Sequence, residues 1–281
     1  MKRSKIRDIL SKLILSVVLT IGLLGANDVF ADKDWKWHDD DKKHFVLVHG
    51  AWHGSWAWYK MVPLLEARGH TVTLINLPSH GIDSSIPGLV TLADYTVAVT
   101  DVLDTVTDPV ILVGHSMGGA VISAAAESRP NKIEKLVFLA AFLLRDGESM
   151  IQLAGMDTGS IAVQNLIVDP VTGTMDVPSS VWKDAFYNTT RAHDFTLAST
   201  LLKTNPLVPI ITTMSLTPEN FGSVRRFYIK TLKDNAITPW LQDEMIAASP
   251  CEKVYSIKGD HSPFFSRPLK LAWILYRIAH Q

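Results

Sequence analysis

The chain has 281 residues, of which 47% are hydrophobic and 20% are charged, and its formal net charge at pH 7 is −1. This composition is typical of a globular protein whose length allows one large α/β domain. The balanced charge provides no basic excess for nucleic acid and no acidic tail, so we expect no nucleic-acid partner.

The first 31 residues follow the pattern of a secretory signal peptide. Residues 1–12 are basic, residues 13–26 are apolar, and Val29 and Ala31 supply the small or aliphatic side chains of a cleavage site. The apolar segment is short for a membrane span. We therefore expect cleavage after Ala31, a secreted or periplasmic protein with no stable membrane span, and a charged linker over residues 32–43. An uncleaved N-terminal anchor is the alternative.

Apolar runs alternate with helical patterns after this linker. The predicted strands and helices, in chain order, are strand 45–48, helix 58–68, strand 71–77, helix 94–105, strand 110–113, helix 119–126, and strands 135–139, 224–231 and 253–257 before a last helix at 268–279. This order predicts a mostly parallel sheet with helices on both faces. The alternation stops over residues 144–215, which we interpret as a cap inserted into a core of residues 44–143 and 216–281.

Residues 114–118 read Gly-His-Ser-Met-Gly and directly follow the apolar run 110–113. A strand that enters a G-x-S-x-G turn and leaves through a helix is the nucleophile elbow of α/β hydrolases. The serine occupies a strained turn, and glycines on either side avoid clashes with the neighbouring strand and helix. The sequence therefore predicts the α/β-hydrolase fold, with Ser116 as its nucleophile.

A serine hydroxyl needs a general base to become nucleophilic, and in this fold the base follows the serine in the chain. His261 lies in the loop after the predicted strand 253–257, which is where such a base belongs. His193 falls in the cap and His280 is next to the C-terminus, so both are weaker candidates. We predict that His261 is the base.

The base needs a carboxylate that orients its ring. Asp234 lies immediately after the predicted strand 224–231. Asp243 and Glu244 fall in the helix that follows, and Asp260 is adjacent to the histidine in sequence, which makes its far ring nitrogen difficult to reach. We predict Asp234 as the acid, with these three as alternatives.

Two backbone N–H groups are expected to bind the oxyanion that forms during acyl transfer. One belongs to Met117, directly after the nucleophile, and the other to Ala51, in the loop after the first strand. We expect His49 to hold that loop through hydrogen bonds. The residues predicted to contact substrate are Trp52, His115, Trp182 and Phe186. A serine mechanism requires no metal and no organic cofactor, so we expect none.

Three segments resemble the α/β-hydrolase branch that contains plant methyl-ester esterases of the methyl salicylate esterase type, hydroxynitrile lyases and bacterial esterase relatives. They are residues 45–58, 114–119 and 257–262. Residues 232–237 are similar to the segment that carries the acid in that family, which supports Asp234. The resemblance implies ester hydrolysis through an acyl-enzyme, and it is weakest in the cap.

The sequence departs from the lyases of that branch at two positions. The lyases carry a hydroxyl residue where this chain has Gly50, and a lysine where it has Ser262. Departure of cyanide needs a positive group, which serine does not supply. We therefore expect a secreted serine esterase for small to medium apolar or aromatic esters. The alternatives are a small-ligand-binding protein on the same fold, a lyase, or a hydrolase of lactones, amides or thioesters; a homodimer is left open.

Overall fold

The computed structural model describes residues 42–281. The predicted signal peptide, residues 1–31, lies outside the described residues, as does the predicted linker up to residue 41. Within residues 42–281, no helix has the length and apolar character that a membrane span requires.

A six-stranded parallel sheet forms the centre of the described chain. Its strands are β1 (His44–Val48), β2 (Thr71–Ile75), β3 (Val110–His115), β4 (Ile133–Leu139), β8 (Arg225–Thr231) and β9 (Lys253–Ile257). Their order across the sheet is β2-β1-β3-β4-β8-β9, and every neighbouring pair is parallel. The carboxyl ends of all six strands therefore meet at one edge, where the loops that follow them can combine into a site.

Eleven α-helices accompany the strands within residues 42–281. They are α1 (Met61–Glu66), α2 (Leu92–Thr105), α3 (Gly118–Ser128), α4 (Met150–Ala154), α5 (Ile161–Gln164), α6 (Trp182–Phe186), α7 (Ala192–Ser199), α8 (Val208–Ile211), α9 (Pro239–Ala248), α10 (Pro263–Ser266) and α11 (Pro268–Ala279). Helices α2 and α3 pack on one face of the sheet, and α1 and α11 pack on the other. The predicted doubly covered parallel sheet of the α/β-hydrolase fold is confirmed.

The strands supply both hydrophobic cores because successive side chains of a strand point to opposite faces. Val46 and Val48 belong to the core beneath α2 and α3, whereas Phe45 and Leu47 belong to the core beneath α1 and α11. All four side chains are fully buried. A strand covered on both faces must be apolar at every position, which is why these segments read as continuous apolar runs.

Residues 144–215, which connect β4 to β8, contain short helices and a second, antiparallel sheet. This small sheet has the strands β5 (Ile167–Asp169), β6 (Thr174–Asp176) and β7 (Asn205–Pro206) in sequence order. The sequence did not predict it, since strands of two or three residues are too short to display a periodicity of two. We propose that residues 144–215 are the cap, and the name is used for them below.

Three helices differ in their bounds from the prediction; one of them, predicted at 119–126, spans Gly118–Ser128. The predicted helix 58–68 is replaced by a 3-10 turn at Ser55–Trp58 and the shorter helix α1. Helix α2 begins two residues earlier than predicted because Thr91 and Asp94 form a capping box, in which each side chain accepts a hydrogen bond from the other residue's N–H.

Candidate active site

Ser116 occupies the sharp turn between β3 and α3. Its φ angle is +54°, in the left-handed region that non-glycine residues rarely adopt. Three backbone hydrogen bonds hold it there: its N–H donates to Leu139 O over 3.3 Å, and its carbonyl accepts from Gly119 N over 3.0 Å and from Phe142 N over 3.1 Å. The strained turn is fixed on both sides, which orients the hydroxyl towards the carboxyl edge of the sheet.

The elbow glycines are required by close approach of the backbone. A Cβ atom on Gly114 would lie 2.5 Å from Gly118 O, and one on Gly118 would lie 2.8 Å from His49 O. Side-chain carbons do not approach oxygen this closely, so only hydrogen fits at either position. The G-x-S-x-G pattern therefore follows from the packing of the turn between β1, β3 and α3.

His261 and Asp234 form a buried pair at the same edge of the sheet. His261 follows β9, Asp234 follows β8, and the His261 Nδ1–H donates to Asp234 Oδ2 over 2.8 Å. Both residues are about 2% exposed. Donation from Nδ1 leaves Nε2 of the neutral ring with a lone pair, which is the state a general base needs.

Further donors fix the Asp234 carboxylate. Its Oδ1 accepts from the N–H groups of Ala236 and Ile237 over 2.8 and 2.9 Å, and its Oδ2 accepts from Thr231 Oγ1 over 2.7 Å. Gln242 Nε2 lies 3.4 Å from the same Oδ2. Hydrogen bonds from several donors hold a buried carboxylate in one orientation. Neither Thr231 nor Gln242 was identified from the sequence, since neither belongs to a motif.

The alternative acids have other partners. Asp260 accepts hydrogen bonds from Thr189 N and Thr190 Oγ1 of the cap and from Ser266 Oγ. Asp243 forms an ion pair with Lys230 at the surface.

Glu244 and the two alternative histidines also lie elsewhere. Glu244 lies in a separate groove between α9 and the start of the cap. His193 has 70% of its side chain exposed beside Asp194, and His280 donates to Tyr276 O. Among the candidates, the structure brings together His261 and Asp234.

His261 and Ser116 line one small cavity of about 60 Å³ together with the two predicted oxyanion donors, Ala51 and Met117. His49 holds the loop beside Ala51, as expected: its Nδ1–H donates to Gly50 O over 2.9 Å and its Nε2 accepts from Leu77 N over 3.1 Å. The four residues predicted to perform acyl transfer therefore surround the same space.

Apart from Ser116 and His261, the side chains around this cavity are apolar or aromatic. They are Ala51, Trp52, Met117, Phe142, Met150, Ile151, Ala154, Ala162, Val163, Leu166, Met175, Phe186, Ile210, Ala236 and Ile237. More than half of them belong to the cap, so the cap forms most of the wall opposite the elbow. Two of the predicted substrate residues, Trp52 and Phe186, are in this lining, and their rings lie 5.3 Å apart.

The other two predicted substrate residues do not reach the cavity. His115 is fully buried in the layer beneath it, where its Nε2–H donates to His261 O over 2.8 Å. The indole N–H of Trp182 donates a hydrogen bond to Val177 O over 2.6 Å, within the cap. The assignment of these two residues to substrate contact is corrected: His115 holds the backbone of the predicted base, and Trp182 packs inside the cap.

Buried histidines surround the site and give the protein a predicted sensitivity to acid. Burial lowers the pKa of His53 to about 3 and holds the pKa values of His49 and His115 well below the ordinary range. In the unfolded chain these groups take up protons near pH 6.5, so their contribution to stability is complete above that pH and is lost as the pH falls towards about 3. Each of these histidines lowers the free energy of unfolding by about 1.4 kcal/mol for every pH unit of acidification within this window.

We therefore expect the midpoint of thermal unfolding to fall clearly between about pH 7.5 and about pH 5. Differential scanning calorimetry across this range measures it. A midpoint independent of pH would contradict the neutral, buried state of these rings.

Among residues 42–281, no group of three or more His, Cys, Asp or Glu side chains is arranged to hold a metal ion.

Most of the chain is similar in sequence to the members of one protein family. Residues 45–272 match the model of the alpha/beta hydrolase family. The chain is 43% identical to putative methylesterase 11, chloroplastic, of Arabidopsis thaliana over 263 residues, which cover 89% of this chain and 67% of that protein. It is 35% identical to methylesterase 9 of the same plant over 252 residues, covering 84% of this chain and 98% of the relative.

A crystal structure of the methylesterase MES16 from Arabidopsis has the same fold, with a TM-score of 0.74 at 31% identity; the match covers 85% of this chain and 99% of that chain. The chain spans only 59% and 56% of the length of two further putative chloroplastic methylesterases, numbers 15 and 13, of Arabidopsis thaliana.

Proposed function

The chain belongs to the alpha/beta hydrolase family, and we propose that it is a carboxylic ester hydrolase that acts through Ser116, His261 and Asp234. The resemblance to plant methyl-ester esterases is confirmed by relatives named methylesterases. One observation carries the proposal for the site: His261, which is buried and hydrogen-bonded to Asp234, lines the same cavity as a serine on a strained elbow. This combination is the arrangement that activates a hydroxyl for attack on a carbonyl.

The acylation step uses these groups in a fixed order. Ser116 Oγ attacks the ester carbonyl while its proton passes to His261 Nε2, and the charge on the imidazolium is stabilised by Asp234 through the Nδ1–H. The carbonyl oxygen becomes an oxyanion that accepts hydrogen bonds from the N–H groups of Ala51 and Met117. Losing one such donor typically lowers kcat by about two to three orders of magnitude.

The alcohol then leaves and water completes the cycle. The tetrahedral intermediate collapses, the C–O bond to the alcohol breaks, and His261 Nε2 donates its proton to the departing oxygen. Water next attacks the acyl carbonyl and gives a proton to the same nitrogen. A second collapse releases the acid and returns the proton to Ser116 Oγ.

The apolar lining supports a substrate that is small and uncharged next to the reacting carbonyl. No Lys, Arg, Asp or Glu lies among the described residues around the cavity. A charged group placed there would lose its hydration without gaining a partner, which is strongly unfavourable. Small apolar or aromatic esters are therefore the favoured substrates, which is also the substrate class expected from the sequence.

The same lining disfavours a lyase. Where the lyases of the resembling branch carry a lysine, Ser262 is fully buried and uncharged. A departing cyanide anion would meet no cation in the cavity. Secretion, cleavage after Ala31 and removal of residues 1–31 stay predictions from the N-terminal pattern alone.

A series of p-nitrophenyl esters tests the proposal. We expect acetyl and butyryl esters to be hydrolysed with a higher kcat/KM than dodecanoyl esters, because a cavity of about 60 Å³ does not hold a long chain. Each methylene that fails to fit is expected to lower kcat/KM by about tenfold. Release of p-nitrophenolate measures the rates.

The other outcomes are decisive as well. A kcat/KM that rises with chain length would contradict the small pocket. Binding of short esters without release of p-nitrophenolate would favour the ligand-binding alternative over the esterase.

A further inference from the structure

The peptide unit that joins Ala51 to Trp52 is held at both of its polar ends. The Ala51 carbonyl accepts a hydrogen bond from His53 Nδ1 over 2.8 Å. The N–H of Trp52 donates to the side-chain oxygen of Asn205, in β7 of the cap, over 3.3 Å. Residue 51 carries the N–H that we assign to the oxyanion, so this peptide unit adjoins the predicted donor directly.

A second cap residue acts on the same peptide unit through the histidine. The hydroxyl of Tyr187 donates to His53 Nε2 over 2.7 Å, and both side chains are buried. The low pKa of His53 keeps its ring neutral, so only one ring nitrogen carries a proton. Because the Ala51 carbonyl can only accept, that proton lies on Nδ1, and Nε2 accepts the hydrogen bond from Tyr187.

The geometry at Trp52 requires such external support. Its φ angle is +62°, a left-handed conformation that costs free energy for a residue with a side chain. Two further hydrogen bonds connect this residue to the cap. Its carbonyl accepts from Lys203 N over 2.9 Å, and its Nε1–H donates to Met175 O over 3.2 Å. The cap is therefore what keeps this loop in its strained conformation.

Resting on the proposed function, we propose that Tyr187 and Asn205 are positioning residues that aim the Ala51 N–H at the oxyanion. His49 holds the preceding peptide unit, which carries the Ala51 N–H, through Gly50 O. Fixing the carbonyl of residue 51 and the N–H of residue 52 holds the peptide unit on the other side of Ala51, so the direction of its N–H is set from both sides. A donor that is misaligned by a small rotation stabilises the oxyanion less, whereas the ester in its ground state depends on it little. The cap thus contributes to the chemical step in addition to lining the pocket.

The test compares Tyr187→Phe with Tyr59→Phe. Both remove one hydroxyl that links cap and core, but the Tyr59 hydroxyl donates to Asp194 and has no connection to residues 50–53. We expect Tyr187→Phe to lower kcat by about tenfold with KM nearly unchanged, a part of the loss seen when a donor is removed entirely. Tyr59→Phe is expected to keep kcat within about twofold, since a surface change of this kind leaves the site intact.

Trifluoroacetone distinguishes positioning from simple stabilisation of the fold. This ketone forms a hemiketal oxyanion on an activated serine, so its inhibition constant reports on the donors. We expect Tyr187→Phe to weaken inhibition by the same factor as kcat, while the Tyr59→Phe constant stays at the parent value. Asn205→Ala should show the same pattern, and the double variant should lose less than the product of the two factors, because both residues hold one peptide unit.

The inference is overturned if Tyr187→Phe keeps the parent kcat and the parent inhibition constant, whatever its effect on thermal stability. It is also overturned if KM rises while kcat is unchanged, since that would make Tyr187 a substrate-binding residue. These failures differ from failure of the proposed function, which would appear as an active Ser116→Ala variant. If Asn205→Ala does not fold, the Tyr187→Phe result decides alone.

Discussion

Replacing Ser116 with alanine is expected to lower kcat for ester hydrolysis by about ten-thousand-fold or more. In the proposed mechanism the Ser116 hydroxyl oxygen forms the acyl-enzyme, and the cavity lining offers, among residues 42–281, no other hydroxyl or thiol to substitute for it. In serine hydrolases the loss of the nucleophile alone removes most of the catalysis that the three groups provide together. Hydrolysis of p-nitrophenyl acetate by the purified variant measures the effect.

The substitution should leave the fold unchanged. The positive φ at position 116 strains any residue that has a Cβ atom, and alanine carries the same strain as serine. The three backbone hydrogen bonds that fix the turn do not involve the side chain. We therefore expect a thermal unfolding midpoint close to that of the parent protein.

Ser123→Ala is the matched control for Ser116→Ala. Ser123 is buried in α3, the helix that follows Ser116, and its Oγ donates to Gly119 O over 2.8 Å. Its loss should cost about 1 kcal/mol of stability and leave kcat nearly unchanged. If Ser116→Ala kept a tenth of the parent activity, the serine mechanism would be wrong.

The core of the fold was predictable because its signals are local. The strand at 253–257 and the helix at 268–279 have the predicted bounds in the structure. Buried parallel strands such as β1 and β3 read as short apolar runs, and a terminal helix covering one face shows a clear apolar stripe. Ser116 was identified as the candidate nucleophile for the same reason, since the glycine pattern of the elbow lies within five residues of sequence, although the contact that requires Gly118 is with the distant His49 O.

The cap was not predictable in the same way because distant contacts determine it. Strands β6 and β7 are separated by 28 residues of chain, and they are joined by a pairing of two residues. Tyr187 and Asn205 act on a loop more than 130 residues earlier in the chain. No spacing or periodicity in one sequence encodes such contacts.

Two of the predicted substrate residues lie outside the cavity lining. His115 is the last residue of β3, and successive side chains of a strand point to opposite faces of the sheet. His115, at the end of β3, points into the layer below, where it meets the His261 carbonyl. Trp182 lies one helical turn before Phe186, yet its indole is turned away by the hydrogen bond to Val177 O.

The acid is tested by Asp234→Asn, for which we expect kcat to fall by about ten-thousand-fold. The side-chain amide can be placed in two ways, and both are unfavourable to catalysis. With its nitrogen in the place of Oδ1, the amide would oppose the fixed backbone donors of Ala236 and Ile237. With its nitrogen in the place of Oδ2, it would face the Nδ1–H of His261.

The second placement prevails because only the imidazole can adapt. Backbone N–H groups cannot turn round, whereas a neutral imidazole can move its proton to the other nitrogen. In Asp234→Asn the proton of His261 would then lie on Nε2, the nitrogen that must accept the proton from Ser116. The fold keeps its hydrogen bonds, the base is held in the wrong tautomer, and hydrolysis fails at the first proton transfer.

Asp243→Asn provides the comparison, because it is an equivalent change on the helix that follows. Asp243 has 60% of its side chain exposed beside Lys230, and exposed ion pairs contribute only about 0–1 kcal/mol. We expect this variant to keep both kcat and the parent pH profile. Loss of activity in Asp243→Asn together with an active Asp234→Asn would assign the acid to the helix.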